Sequence, residues 1–262
     1  MSWQPINLPL TRAEIALLQD AAERLHRYVD DVQQIMTRAR GNPAPGSDAA
    51  QLLAQQPTPP EIEHADLRFS SALEHLGTLA NALVPGNAPL LFAPFTLMRT
   101  ALEGAGYAAW AWEPGLSPSQ RAVRGRRLRW KNLDEVVKAT ADPERKATRD
   151  GLGVGGLDAA VEVLGALLPE IDHGRPLGER LYRQLSGRGH AMPWTVVAAG
   201  VSRVVASDEY SELRLLKPDL RQLIGALEPT LKVVQMAVDR FGELAGLRAT
   251  GWWAARPTPP TW

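Results

Sequence analysis

Residues 90–112 read LLFAPFTLMRTALEGAGYAAWAW, and Arg99 and Glu103 are the only charged side chains among them. A helix that is apolar on every side is either a core helix or a membrane span. Its length suits a span, since about 20 apolar residues cross a bilayer. Two charges near the middle and an early proline, Pro94, weigh against that. The stretch therefore predicts the buried central helix of an all-α bundle, with no membrane partner. Gly104, Ala105, Gly106, Ala108 and Ala109 are small enough to let a neighbouring helix come close. Arg99 and Glu103, four apart, project from one face and can pair. Buried charges are tolerated only when paired and hydrogen-bonded. Either the two form a structural ion pair that sets helix register, or they reach a polar cavity or groove between helices.

Helix signals flank this stretch on both sides. Thr11-Arg12-Ala13-Glu14 has the pattern of a capping box. Behind it Ile15, Leu18, Ala22, Leu25, Val29, Val32 and Met36 alternate steps of three and four, one apolar seam on a long helix. Gly41-Asn42-Pro43 ends it, and a polar, Gln-rich link runs to about residue 57. Thr58-Pro59-Pro60-Glu61 reads as a second box, ahead of Ile62, Ala65, Phe69, Ala72, Leu76, Leu79 and Leu83. Ser117-Pro118-Ser119-Gln120 and Asp142-Pro143 start two more helices. The last long one carries Leu220, Leu223, Leu227, Leu231, Val234, Val238, Phe241 and Ala245, with Pro229 inside it as a source of a kink. No period-2 strand stands out. The β-branched run from Trp194 to Ala206 comes nearest, yet Val197, Val201 and Val204 keep helical spacing. A bundle of about seven helices follows. It is expected as a single domain over residues 1–250, with a hinge near 151–156 and an irregular Pro/Trp-rich tail over 251–262.

Composition excludes several chemistries. The chain has 262 residues, 29 basic and 29 acidic side chains and no cysteine. No disulfide, thiol nucleophile or cysteine metal site is available. Apolar residues at 45% and charged ones at 22% are globular values. The opening MSWQPINLPL has neither a basic n-region nor an apolar h-region, so a cytoplasmic protein is expected.

Four constellations carry chemistry worth weighing. The run from Arg121 to Lys131, with Arg124 and Arg127 inside it, holds six cations and no acid. It is either a phosphate-binding surface, RNA being the candidate partner, or a solvated face paired with Asp134-Glu135 or Glu103. Gly151, Gly153 and Gly156 match GxGxxG, but no strand–turn–helix surrounds them, so a hinge is the expectation. Glu23/His26, Glu61/His64 and Glu170/His173 have the spacing of di-iron bundles. The seams place the first two pairs beside or away from the core, so neither metal nor cofactor is expected.

The fourth segment runs Arg180-Leu-Tyr182-Arg183-Gln-Leu-Ser186-Gly-Arg188-Gly-His190. Gly187 and Gly189 mark a helix end. Histidine titrates near neutrality and can act as general base or acid. An arginine beside it can hold a phosphoryl group bidentately. The other reading makes Arg183 and His190 ordinary cap and turn residues.

At this segment the chain resembles HEPN proteins, an all-helical nucleotide-binding and ribonuclease superfamily whose signature is an arginine, four to six residues and a histidine near a helix end. Arg99-Thr-Ala-Leu102-Glu103 with Trp110 and Trp112, followed by an Arg-rich helix, is also similar to uncharacterised actinobacterial helical proteins. The resemblance implies a metal-independent endoribonuclease of a toxin or phage-defence system, or an inactive relative that binds RNA or a partner. It implies catalytic roles for Arg183 and His190, the histidine activating the ribose 2′-hydroxyl and the arginine stabilising the phosphorane-like transition state. Tyr182, Arg188, Arg99 and Glu103 would support them, in a homodimer. The competing expectation is a non-enzymatic helical binding or regulatory protein with a groove for a small molecule or partner.

Overall fold

Thr11 begins the first helix in the manner its residue type dictates. Its hydroxyl accepts from the Glu14 N–H at 3.3 Å, and the Glu14 carboxylate accepts from the Thr11 N–H at 2.7 Å. Helix α1 (Arg12–Gly41) follows, burying Leu18, Ala22, Leu25, Val29, Val32 and Met36 and ending on an Asn42 cap. The structure is a computed structural model that describes residues 10–55, 59–84, 92–154, 160–189, 200–207 and 212–262. The link after α1 is not merely polar. Ser47 caps a short α2 (Asp48–Leu53) there. Helix α3 (Pro60–Leu83) buries the whole seam from Ile62 to Leu83. Pro59 is its N-cap, and Thr58 lies outside the described residues.

Helix α4 (Ala93–Ala111) is the buried centre that the opening stretch predicts. It packs against α3, α5 (Pro118–Thr140), α7 (Ala160–Leu167), α8 (Leu177–Gly189) and α9 (Leu220–Leu244). Between α5 and α7 comes α6 (Pro143–Asp150), capped by the Asp142 carboxylate. Close approach is explicit at Gly104, where a Cβ would lie 2.5 Å from the Arg68 carbonyl oxygen on α3. At the C-terminal end Trp112 is fully buried, with ring centroids 5.5 Å from Phe69 and 5.0 Å from Phe241. One indole thereby joins α3, α4 and α9. Among the described residues no helix is long and apolar enough to cross a membrane.

The fold is all-α, with ten helices among the described residues, but the region after α8 departs from the helical expectation. Strand β3 (Gly200–Ser207) pairs antiparallel with β4 (Glu212–Pro218), irregular between Val204 and Ala206. Periodicity misleads here because short apolar runs suit either state, while Val201, Val204 and Val205 are β-branched and favour extended backbone. Residues 194–199 of that run lie outside the described ones. A smaller hairpin, β1 (Ile171–Asp172) with β2 (Arg175–Pro176), turns through His173 and Gly174, both at positive φ. Past Asp150 the chain turns at Gly153, φ +62; residues 155 and 156 of the expected hinge are not among those described. Pro229 is accommodated within a continuous α9.

The tail is less irregular than expected. It forms a one-turn α10 (Gly251–Ala254), and Trp253 is buried against Gly242 of α9. Arg38 of α1 stacks on Trp252 at 4.2 Å, and Arg24 donates to the Thr261 carbonyl at 3.2 Å. The tail tryptophans dock on the body of their own chain.

Gly104 and Gly77 give an internal comparison. Alanine normally stabilises a helix interior by about 1 kcal/mol over glycine. Gly77→Ala, in open space on α3, is expected to gain roughly 0.5–1 kcal/mol. Gly104→Ala is expected to lose about 1–3 kcal/mol through overpacking. Urea denaturation of both variants measures this, and equal effects would contradict the close α3–α4 contact.

Candidate functional site

Helix α8 presents two chemically different faces. Tyr182 points toward α4, where its hydroxyl accepts from Arg99 Nη2 at 3.2 Å and donates to Glu103 Oε2 at 3.4 Å. The Arg99 guanidinium also sits 5.4 Å from the Tyr182 ring centroid. The direct Arg99–Glu103 distance is 3.9 Å, with side chains 28% and 21% exposed. The two charges thus form a half-buried triad with the Tyr182 phenol between them. Burial alone would depress the Arg99 pKa, but the Tyr182 hydrogen bond, with Tyr182 and Glu103 electrostatics, holds it above its ordinary value. One turn on, burial pushes the Tyr107 hydroxyl pKa up, and the Glu103 carboxylate adds to it. Arg99 Nε is buried without a hydrogen-bond partner among the described residues.

Arg188 continues this inner face. It is buried, stacks 4.3 Å from the Phe95 ring centroid and donates through Nη2 to the Gln222 side chain of α9. Burial lowers its pKa, against the opposing pull of Asp219. Tyr182 meets Arg99 and Glu103 while Arg188 meets Phe95, so α8 runs antiparallel to α4. Arg183 belongs to the other face. Its side chain is 58% exposed and donates to Glu179 at 2.9 Å, on a carboxylate that Arg175 also reaches at 2.6 Å. His190 lies outside the described residues. The supporting residues Arg99, Glu103, Tyr182 and Arg188 share one seam, and Arg183 is not on it.

Two arginines of the basic run, Arg121 and Arg124, turn toward the end of α4, whereas Arg126 and Arg129 are exposed. Arg121 is buried, its guanidinium 3.5 Å from the Ala111 carbonyl oxygen and 3.3 Å from Asp48. Arg124 donates to the Trp110 carbonyl, pairs with Glu113 at 2.5 Å and stacks 4.7 Å from the Trp110 ring. From α9, Arg240 donates to the Ala109 carbonyl at 2.8 Å. Three arginines thus satisfy consecutive carbonyls at the end of α4, which has no basic residue in its own last turn. Lys131 pairs with Glu135 at 2.6 Å, and Arg127 lines a shallow groove of about 380 Å³ with Trp110, Val123 and Arg124.

Among the described residues no cluster of three or more metal-ligating side chains exists. Glu23 is exposed, His64 contacts Asn132 and His173 stands in the exposed β1–β2 turn. A groove at a place that was not anticipated, about 710 Å³ in volume, lies between the end of α7, the middle of α9 and the tail, lined by Leu167, Leu168, Met236, Pro259 and Pro260 with Lys232 at its side. No single motif marks these residues, which come from three remote segments. A more polar groove of about 470 Å³ runs between α1 and the tail at Asp31, Arg38 and Trp252. No protein-family model, curated protein or solved structure matches the chain.

Arg121 and Tyr182 differ in what their removal leaves behind. Tyr182→Phe deletes one hydroxyl at a half-wet seam and is expected to cost about 0.5–1.5 kcal/mol. Arg121→Met strands a buried carbonyl at the α4 terminus and is expected to cost roughly 1–3 kcal/mol. Chemical denaturation checks the order, which reverses if the α4–α8 triad rather than the α4 terminus dominates.

Proposed function

We propose that the chain is a non-enzymatic helical binding or regulatory protein that holds a small amphipathic molecule in the groove between α7, α9 and the tail. The observation that carries this reading is the groove itself, about 710 Å³, within the range of roughly 300–1,000 Å³ typical of small-molecule sites. Leu167, Leu168 and Met236 offer an apolar lining, while Glu170, Glu228, Lys232 and Gln235 supply a few polar contacts. A largely apolar wall with sparse polar groups suits a ligand with both characters.

A second reading is the HEPN-like endoribonuclease, cytoplasmic and homodimeric, cutting RNA without metal. What supports it is Arg183, solvent-exposed on α8 ahead of the helix end at Gly189, where a phosphate has access to it. His190 would then be the general base.

One pair of assays separates the readings. The amphiphile 8-anilinonaphthalene-1-sulfonate is expected to bind the native chain at one site and to be displaced by the groove-filling Met236→Trp. RNA incubated with the chain in EDTA is expected to remain intact. Cleavage that disappears in both Arg183→Ala and His190→Ala would overturn the binding reading in favour of the nuclease. Dye binding unaltered by Met236→Trp would remove the groove from it.

A further inference from the structure

One amide ties α3 to α5. Asn132 of α5 accepts through Oδ1 from Arg68 Nη2 at 2.7 Å, and its Nδ2 lies 3.0 Å from His64 Nδ1 on α3. A guanidinium can only donate, so the amide oxygen must face Arg68. The amide nitrogen, also only a donor, must then face His64. His64 Nδ1 is left with one role: it accepts, and the imidazole proton sits on Nε2. Arg68 extends the connection to α4, its guanidinium 5.5 Å from the Tyr107 ring centroid.

We propose that the His64–Asn132–Arg68 bridge is a pH-sensitive joint that holds α5 on α3 when His64 is neutral and loosens when it is protonated. A proton on Nδ1 sets one donor against another, and Asn132 cannot rotate its amide without setting its NH₂ against Arg68. The new cation also meets two existing ones. Among the described residues Arg68 on α3 and Arg129 on α5 oppose it and Glu63 on α3 favours it, while α1 and α4, also packed on α3, contribute no acting charge. Burial of the half-covered ring works in the same direction and is the larger cause, so the His64 pKa lies below its ordinary 6.5. The folded chain therefore binds this proton less readily than the unfolded one. The joint's contribution is complete above pH 6.5 and is lost as pH falls through 6.5 toward the folded value. Loosening α5 also weakens its hold on the α4 terminus through Arg121 and Arg124.

The full chain, with its histidine ring protons followed by NMR between pH 4.5 and 8, provides the test. His64 is expected to titrate below 6.5 in the wild type. In Asn132→Asp the bridging group becomes a carboxylate that accepts from both Arg68 and a protonated His64, so titration is expected above 6.5. Amide exchange in residues 118–140, corrected for its intrinsic pH dependence, is expected to rise on acidification. The opening equilibrium should change about tenfold per unit of pKa displacement. His64→Gln should abolish that rise, since glutamine keeps an acceptor and cannot charge. A wild-type His64 titrating at or above 6.5, or one left below it by Asn132→Asp, overturns the joint. If His64→Gln fails to fold, the ring titrations alone decide the matter.

Discussion

Burying a helix end is the constraint on which most of this structure depends. An α-helix leaves its last carbonyls without intrahelical donors, and a partial negative charge accumulates there. At an exposed terminus water would satisfy them. The end of α4 is enclosed by α3, α5 and α9, with Trp112 sealed between Phe69 and Phe241. Donors must therefore come from other helices, and Arg240, Arg124 and Arg121 deliver them to Ala109, Trp110 and Ala111. Guanidinium suits the task because it carries several donors and a charge of the correct sign for the terminus. The positions of α5 and α9 around the centre are thereby tied to the polar chemistry of one turn.

The same chemistry bears on function. A run of cations in a neutral chain invites a phosphate partner, yet two of the strongest candidates in that run face inward. Net electrostatic reach declines when a charge is buried against carbonyls and carboxylates rather than offered to solvent. A similar division falls within α8. Tyr182 and Arg188 are drawn to α4 and α9, whereas Arg183, one residue past the tyrosine, meets Glu179 on the outer surface. Neighbours in sequence lie about 100° apart around a helix, so a motif read linearly divides between two surfaces.

Grooves and joints arise where helices meet imperfectly. The tail folds back over α1 and α9 and forms one wall of the groove beside α7, and Asn132 spans the gap between α3 and α5. Neither feature depends on a recognisable motif. Each depends on two or three residues, far apart in the chain, reaching one place with complementary shape or hydrogen-bonding capacity.

Long seams and caps were legible because their causes are local. The capping boxes at Thr11 and Ser117 and the apolar spacing of α1, α3 and α9 follow from residues within a few turns of each other. The central role of residues 90–112 followed from hydrophobicity on all sides, which water alone penalises. The pairing of β3 with β4 was not legible, since a short apolar run suits helix or strand and only cross-strand pairing chooses between them. Nor did composition reveal that Arg121 and Arg124 cap α4, that Tyr182 parts Arg99 from Glu103, or that proline and tryptophan at the tail close a groove. Amphipathic pattern establishes which side of a helix avoids water; the partner a polar group finds there depends on distances between segments that no local rule contains.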